Sequence, residues 1–387
     1  MRRSTDRVLT SHAGSLARPQ VLIDLMRAKI NGREFDQADF VEQCRRAVQD
    51  VVQQQVDCGV DIPSDGELSK PMFADYVADR ISGFEGENPN TGFVRPSQRP
   101  DPFPDYSAWQ RNRLGQWFGG LREHRPMCVG PLAWKDRAYE QDIANLKDAM
   151  STAQIDEAFL PSPSPGIIAM RIPNEYYGSD QDYLFAIAEV LSDEYRAITD
   201  AGLILQIDAP DAAMSWDRQE WDGIGDFRKA LESRIEALNH ALRGIPEERV
   251  RFHVCWGNGE GPHTGDVSLT DIVDIILQAN CMCFSIEGAN PRHAHEWEVW
   301  EKVKLPPGKT LMPGVIDSVT NFVEHPELVA QRIVQYARQV GPENVIAGTD
   351  CGFGTGATEN PRVHPEIVWA KFRALSEGAA IASKRLW

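Results

Sequence analysis

The strongest constraint on the fold is a recurrence. Nine short apolar or β-branched runs each end in a polar or glycine-containing loop: "RVLTSHAG" (7–14), "VDIPSDGE" (60–67), "MCVGPL" (127–132), "EAFLPSPSP" (157–165), "LILQIDAP" (203–210), "RFHVCWG" (251–257), "CMCFSIEG" (281–288), "LMPGVID" (311–317) and "VIAGTDCG" (345–352). Between most of them lie amphipathic stretches such as "QDYLFAIAEVLSDEYRAITDAG" and "HPELVAQRIVQYARQVGPE", with apolar residues at helical spacing. Strands that alternate with helices pair in parallel, because each crossover helix returns the chain to the same end of the sheet. About eight such units in one uninterrupted chain predict a single α/β domain over 1–387, a (β/α)8 TIM barrel rather than a doubly wound sheet. Nine candidates are one too many, and spacing does not decide whether 127–132 or 157–161 is the barrel strand. The stretch 85–135 is expected to be an insertion after strand 2. Its part up to about 126 is rich in Pro, Gly and aromatics without a sustained period, which reads as a long surface excursion or as a lid over the site.

Charge and cysteine usage narrow the partners. A formal net charge of -17 argues against nucleic acid and anionic membrane surfaces. No apolar stretch is long enough to span a bilayer, and the "MRRSTDRVLTSHAG" start lacks the apolar core of a signal peptide. The 7 cysteines, at 44, 58, 128, 255, 281, 283 and 351, are odd in number and scattered, unlike a disulfide framework. A reducing cytoplasm is the expected location, with thiols available to bind metal or react.

Chemistry in a parallel barrel gathers at the C-terminal ends of its strands. Reading each run to its end places His12 and Ser15, Asp65 and Glu67, Asp208, His253 and Cys255, Glu287, Asp317, and Asp350 with Cys351 at one mouth. In "RFHVCWG", Arg251, His253 and Cys255 alternate with Phe252, Val254 and Trp256, so an imidazole and a thiol point to the same face of one strand. On its own this pair is as readily a packed core histidine beside a free thiol. With Cys351 it becomes two soft sulfurs and an imidazole, the donor type that zinc prefers. Ligands spread over three strand ends, without a local C-x2-C knuckle, favour a catalytic site with an exchangeable position over a closed structural one. Glu287 is the best fourth ligand. Cys281 and Cys283 begin the strand that ends at Glu287 and are expected in the core. His293 and His295 read as helix-entry residues, and "GFGTG" (352–356) as the flexible turn after Cys351.

These residues resemble the catalytic domain of the cobalamin-independent methionine synthase family, over most of the chain. The family's zinc ligands correspond to "HVCWG", "SIEGAN" and "GTDCGFGT", hence to His253, Cys255, Glu287 and Cys351. Its homocysteine-holding positions correspond to Gly14 and Ser15, Glu67 and Asp208, the two carboxylates serving the substrate ammonium. The resemblance also makes "EAFLPSPSP" the third barrel strand and "MCVGPL" part of the insertion before it. Two departures stand out. Full-length members carry an N-terminal half that helps bind polyglutamylated methyl-folate, for which this sequence shows no counterpart. The family's "D-E-P" reads Asp208-Ala209-Pro210, and its methyl-transfer histidine falls at Val319. Shorter relatives include single-domain methionine synthases with corrinoid donors and epoxyalkane:coenzyme M transferases. The stretches "PSPSPG", "IPNEYYGS" and "QIDAPDAAMSWD" look closer to the latter.

The resulting expectation is a Zn2+-dependent S-methyltransferase acting on homocysteine or a similar thiol. A free thiol with a pKa near 8.5 is a poor nucleophile at neutral pH, and zinc makes it a thiolate. Glu67, Asp208 and Ser15 would bind the thiol substrate, and His12 and Asp317 are the candidate catalytic side chains. The expected partners are a small thiol and an alkyl donor, a methyl-corrinoid among the candidates, with a second copy of the chain the one protein partner left open. The alternative is an epoxide-opening thiol transferase, for which Arg18 and Arg171 are the nearest bases in sequence to receive a sulfonate. A barrel with a purely structural zinc is the non-enzymatic alternative.

Overall fold

The computed structural model describes residues 1–88, 102–114, 121, 125–218, 221–358 and 360–387. Seven parallel strands form one curled sheet: β1 (Leu9–Thr10), β4 (Phe159–Pro163), β5 (Ile204–Asp208), β6 (Val250–His253), β7 (Cys283–Ile286), β8 (Thr310–Ile316) and β9 (Ile346–Thr349). Their order, β1-β9-β8-β7-β6-β5-β4, leaves β1 and β4 as the two edges. The segment 62–64 stands between those edges. Ile62 bridges to Ser11 and Ser64 to Phe159, all in parallel, with Ile62 N donating to Thr10 O at 3.1 Å and Phe159 N donating to Pro63 O at 3.0 Å. Pro63 has no N–H to give, so this stave makes bridges rather than a regular ladder. With it the parallel staves close into a (β/α)8-type barrel.

The two rival runs separate cleanly. Phe159–Pro163 pairs with β5 in the barrel wall, whereas Met127–Trp134 (β3) pairs antiparallel with Ile81–Glu85 (β2) in a separate two-stranded sheet. Much of 85–126, the stretch read as a surface excursion or lid, lies outside the described residues; within it, Pro104–Leu114 is helical.

Strand alternation then sorts the interior. Leu9, Ile62, Phe159, Ile204, Cys283, Met312 and Ile346 form a closed apolar cluster inside the barrel. Above Phe159 lies the buried Arg251, whose guanidinium sits 3.9 Å from the ring centroid. It donates to Gln206 Oε1 at 2.7 Å, Ser11 Oγ at 2.8 Å and the His12 carbonyl at 3.0 Å. A buried cation is tolerated only when its donors are matched in this way. Two residues further along the same face, His253 emerges at the C-terminal mouth. Outer helices cover the sheet; Asp36 and Ser179 cap the 37–57 and 180–200 helices by accepting from Asp39 N and Asp182 N, respectively.

Candidate functional site

A cavity of about 100 Å3 opens at the C-terminal mouth, with His253, Cys255, Cys351, Glu67, Asp208 and Ser15 all in its wall. Apolar side chains, among them Met72, Phe73, Met214 and Phe353, supply most of the remaining lining.

The donor cluster comes from two strand ends. His253 closes β6, Cys255 lies two residues beyond it, and Cys351 follows β9. One ligand atom from each falls within 4.8 Å of the others, and the two sulfurs are 3.4 Å apart. His253 Nδ1 meets Ser285 Oγ at 3.0 Å, which turns Nε2 inward, where it is buried without a protein hydrogen-bond partner. Burial, aided by the Arg251 charge, lowers the imidazole to about 3, so it is a neutral donor at any physiological pH. Cys255 also accepts from Gly257 N at 3.3 Å. The neighbouring Cys351 thiol, then burial, pushes Cys255 well above the ordinary thiol range.

Glu287 follows β7 and lies beside Cys255, but its carboxylate is turned aside. Oε1 accepts from Trp256 N at 2.7 Å and Oε2 from Asn290 Nδ2 at 2.8 Å, so it stands next to the three-residue cluster rather than within it. Burial, then Cys255, raises its carboxyl well above the carboxylate range. Asp350 organises this corner. Its Oδ1 accepts from Gly288 N and Ala289 N and its Oδ2 from Asn290 N, each at 2.8 Å, which ties the loop after Glu287 to the residue before Cys351.

The second feature of the cavity is a pair of buried carboxylates. Glu67 sits in a tight turn with φ of 57°, built by Asp65 Oδ1 accepting from Glu67 N at 3.0 Å and Ser64 Oγ accepting from Gly66 N at 3.1 Å. A left-handed non-glycine residue at such a place is strained backbone held by its surroundings. Gly14 makes the approach possible: at φ of 114°, a Cβ there would stand 2.9 Å from Pro161 and 3.3 Å from Glu67 Oε1. Asp208 ends β5 and accepts from Gln206 Nε2 at 2.7 Å. Burial raises both carboxyls, Asp208 the more strongly because Glu67 adds its own charge; Arg18, 3.5 Å from Glu67 Oε2, works the other way.

Most of the other sequence candidates fall outside the cavity wall. His12 is fully buried beneath the mouth, its Nε2 bonded to Gln55 Oε1 at 2.6 Å and its Nδ1 accepting from Gly14 N at 3.1 Å, and it does not line the cavity. Asp317 is likewise outside the cavity wall. Its carboxylate accepts from Val319 N and Thr320 N at 3.1 and 3.0 Å and shapes the loop after β8. Ser15 lines the cavity, but its hydroxyl donates to the Gly354 carbonyl and accepts from Arg18 at 3.0 Å. Arg18 is buried behind Glu67, and Arg171 is paired with Asp75; neither lines the cavity. Cys281 and Cys283 are buried. His293 packs tilted against Trp256, ring centroids 4.4 Å apart; burial opposes its charge, but the Asp266 and Glu296 carboxylates prevail and push it up to about 10. His295 is exposed.

Three residues of the mouth carry no signal as strand ends. Ser285 orients His253. Asn258, at φ of 47°, donates to Gly352 O at 2.8 Å and Thr355 Oγ1 at 3.0 Å and accepts from Ser318 Oγ at 2.8 Å, lacing the loops after β6, β8 and β9 together. Arg362 lines the cavity from the loop after β9 and donates to the Asn258 carbonyl. Only the "GNG" that follows β6 hinted at such a turn.

The fold and the site define a class: parallel barrels that gather a histidine and two cysteines, with a carboxylate pair, at the catalytic mouth. No protein-family model matches the chain. Among curated proteins it is 26% identical over 346 residues to a methionine synthase of Thermococcus kodakarensis, covering 89% of this chain and 86% of that one. It is 24% identical over 380 residues to a methionine synthase of Saccharolobus solfataricus, covering 97% and 95%. In fold it matches the B12-independent methionine synthase of Shewanella sp. W3-18-1, solved with selenomethionine, at a TM-score of 0.74 and 21% identity over 98% of this chain and 99% of that one. In sequence, then, the chain is similar to proteins named methionine synthase, and in fold to a B12-independent methionine synthase.

Proposed function

We propose that the chain is a zinc-dependent S-methyltransferase that methylates homocysteine or a closely similar amino-acid thiol. One observation carries the reading: a His/Cys/Cys cluster and a pair of buried, mutually repelling carboxylates line one small cavity. The relatives named methionine synthase support it.

The residues fit the metal. An unpartnered, neutral Nε2 and two sulfurs in contact are the soft donor set for Zn2+, with Glu287 placed to complete it or to hold Cys255. When bound, zinc would supply a substrate thiolate at neutral pH. Ser285 fixes the His253 tautomer and Asp350 the loop that carries Glu287, the orienting contacts that metal sites depend on.

The chain's own groups then position the substrate. Ionisation of Glu67 and Asp208 is opposed by burial and, at Asp208, by its partner's charge; a cation between them removes that penalty. A substrate ammonium is such a cation, and two carboxylates give it charge-assisted hydrogen bonds. Met72, Phe73 and Phe353 exclude water from the sulfur. In the transfer the sulfur–methyl bond forms as the donor–methyl bond breaks, with the electron pair leaving on the donor.

A second reading, epoxide opening by a sulfonate thiol, gains support from the guanidinium of Arg362 in the same wall. The test is direct. Purified protein should carry about one zinc per chain, as a single such site requires. Cobalt-substituted protein should change its spectrum on adding homocysteine, which a closed structural site would not. Metal-loaded protein is then offered methylcobalamin, methyl-folate and short epoxides with each thiol. Methionine formed from either methyl donor supports the proposal, and thioether formed only from an epoxide overturns it.

A further inference from the structure

We infer that Gln206 is a positioning residue for the substrate ammonium: its amide, held in one orientation by Arg251, aims the Asp208 carboxylate. The inference rests on the amino-acid-thiol reading above. Gln206 and Arg251 are register partners on β5 and β6, as are Asp208 and His253 two residues further on, so an amide and a guanidinium form the layer beneath the mouth. A primary amide has two ends of nearly equal shape, and its partners decide which end faces where. Arginine only donates. With Arg251 Nε donating to Gln206 Oε1 at 2.7 Å, the oxygen end is taken. The amide hydrogens then point the other way, and each meets an acceptor, the Ala13 carbonyl and Asp208 Oδ1, both at 2.7 Å. Reversed, the amide would set oxygen against oxygen at those two contacts and its hydrogens against a guanidinium. One orientation satisfies every partner.

Arg251 is itself fixed, its other donors spent on Ser11 Oγ at 2.8 Å and the His12 carbonyl at 3.0 Å and its guanidinium over the Phe159 ring. The amide therefore passes a set geometry upward from the barrel interior. Among the described contacts it supplies the one hydrogen bond of the Asp208 carboxylate. That bond falls on Oδ1, so Oδ2 is the oxygen left for a cation. The second amide hydrogen reaches further. Ala13 precedes Gly14, the residue whose missing side chain makes room for Glu67 Oε1. One amide thus registers Asp208 directly and the approach of Glu67 through the loop after β1. A substrate ammonium needs both carboxylates at hydrogen-bond distance at once, and such bonds weaken when either is misplaced. The sulfur end does not depend on this amide, whose hydrogen bonds go to Arg251, Ala13 and Asp208 and to none of His253, Cys255 and Cys351.

The test uses metal-loaded protein and three thiols: L-homocysteine, 3-aminopropane-1-thiol, which lacks only the carboxylate, and 4-mercaptobutanoate, which lacks only the amine. Binding is read by calorimetry and metal content by elemental analysis. The wild type should prefer homocysteine to 4-mercaptobutanoate by at least roughly tenfold, the scale of a hydrogen bond to a charged group. Gln206→Met keeps the shape of the side chain and removes both donors. It should weaken homocysteine and the aminothiol by about tenfold each, while 4-mercaptobutanoate stays within about twofold and the metal is retained. Gln206→Met combined with Arg251→Met leaves no guanidinium without its acceptor and makes the layer apolar at similar volume. This double variant should fold even where the single one does not, and show the same selective loss. Equal weakening of all three thiols, loss of metal, or failure of both variants to fold would show a brace for the barrel core and overturn the inference, as would unchanged affinity for the two amines. A wild type that binds 4-mercaptobutanoate as tightly as homocysteine, or binds none of the three, would overturn the amino-acid-thiol reading and the inference with it.

Discussion

Replacing Asp208 by Asn should stabilise the protein while damaging its site. Asp208 is buried, its one hydrogen-bond donor among the described contacts is the Gln206 amide, and Glu67 repels its charge. Its folded-state carboxyl is therefore raised well above the ordinary value near 3.9. For an acid shifted upward, the folded state holds the proton longer than the unfolded one, so stability falls as pH rises from about 4 toward the folded-state value. Asn removes that cost without changing shape. An uncompensated buried polar group costs about 1–3 kcal/mol. At roughly 2.1 cal/mol/K per residue, a chain of 387 residues has an unfolding entropy near 0.8 kcal/mol/K, so the gain corresponds to a Tm rise of about 1–4 °C. The rise should appear at pH 8 and shrink toward pH 4, where the folded-state carboxyl holds its proton and the unfolded one is about half protonated. In parallel, homocysteine binding should weaken by about 1.5–3 kcal/mol, the range for hydrogen bonds to charged groups. Scanning calorimetry at both pH values, with thiol titrations on the same samples, measures each half. A variant that is less stable at pH 8, or equally stabilised at pH 4, would refute the electrostatic argument.

Serine at Cys255 or Cys351 should strip the metal seen by elemental analysis, while serine at Cys281 or Cys283 should keep it, since only the first two line the cavity. Ser285→Ala frees His253 Nδ1 and should lower metal affinity by about 10–100-fold, measured by competition with a chelator, without moving the thermal midpoint by more than a few degrees. Asp350→Ala leaves the N–H groups of Gly288, Ala289 and Asn290 without their acceptor and should cost about 3–5 kcal/mol by denaturant titration. Gly14→Ala, strained at φ of 114° and crowding Glu67, should weaken homocysteine binding while the metal is retained.

Legibility followed periodicity. The barrel strands could be read because a buried parallel strand is a short apolar run and a side chain at i+2 keeps its face. That rule carried Arg251, His253 and Cys255 from the barrel interior to its mouth, and it placed Cys283 in the inner core. It did not separate 127–132 from 157–161, because strand propensity is blind to whether the partner is a parallel barrel neighbour or an antiparallel strand outside the barrel. The antiparallel partner, Ile81–Glu85, follows a helix at Val77–Arg80 and stands in no apolar run that marks it as a strand.

Loops obey no such period, and there a strand-end position alone does not say which side chains face the cavity. His12 and Asp317 stand at strand ends like Glu67 and Asp208, yet their polar atoms are consumed locally, by Gln55 and Gly14 in one case and by Val319 and Thr320 in the other. What separates the two pairs is hydrogen-bond saturation, which depends on neighbours distant in sequence. His253 Nε2 finds no hydrogen-bond partner and Glu67 Oε2 only the Arg18 guanidinium at 3.5 Å, and both residues are buried in the cavity's wall. Buried polar atoms left unmatched are costly, so a fold keeps them where a ligand matches them. Arg362 reaches the same wall through a contact of long range: 104 residues separate it from Asn258, the carbonyl that anchors it. A contact of that range leaves no trace in a strand pattern, and it brings the one cation of the described cavity wall to a mouth otherwise built from acids and thiols.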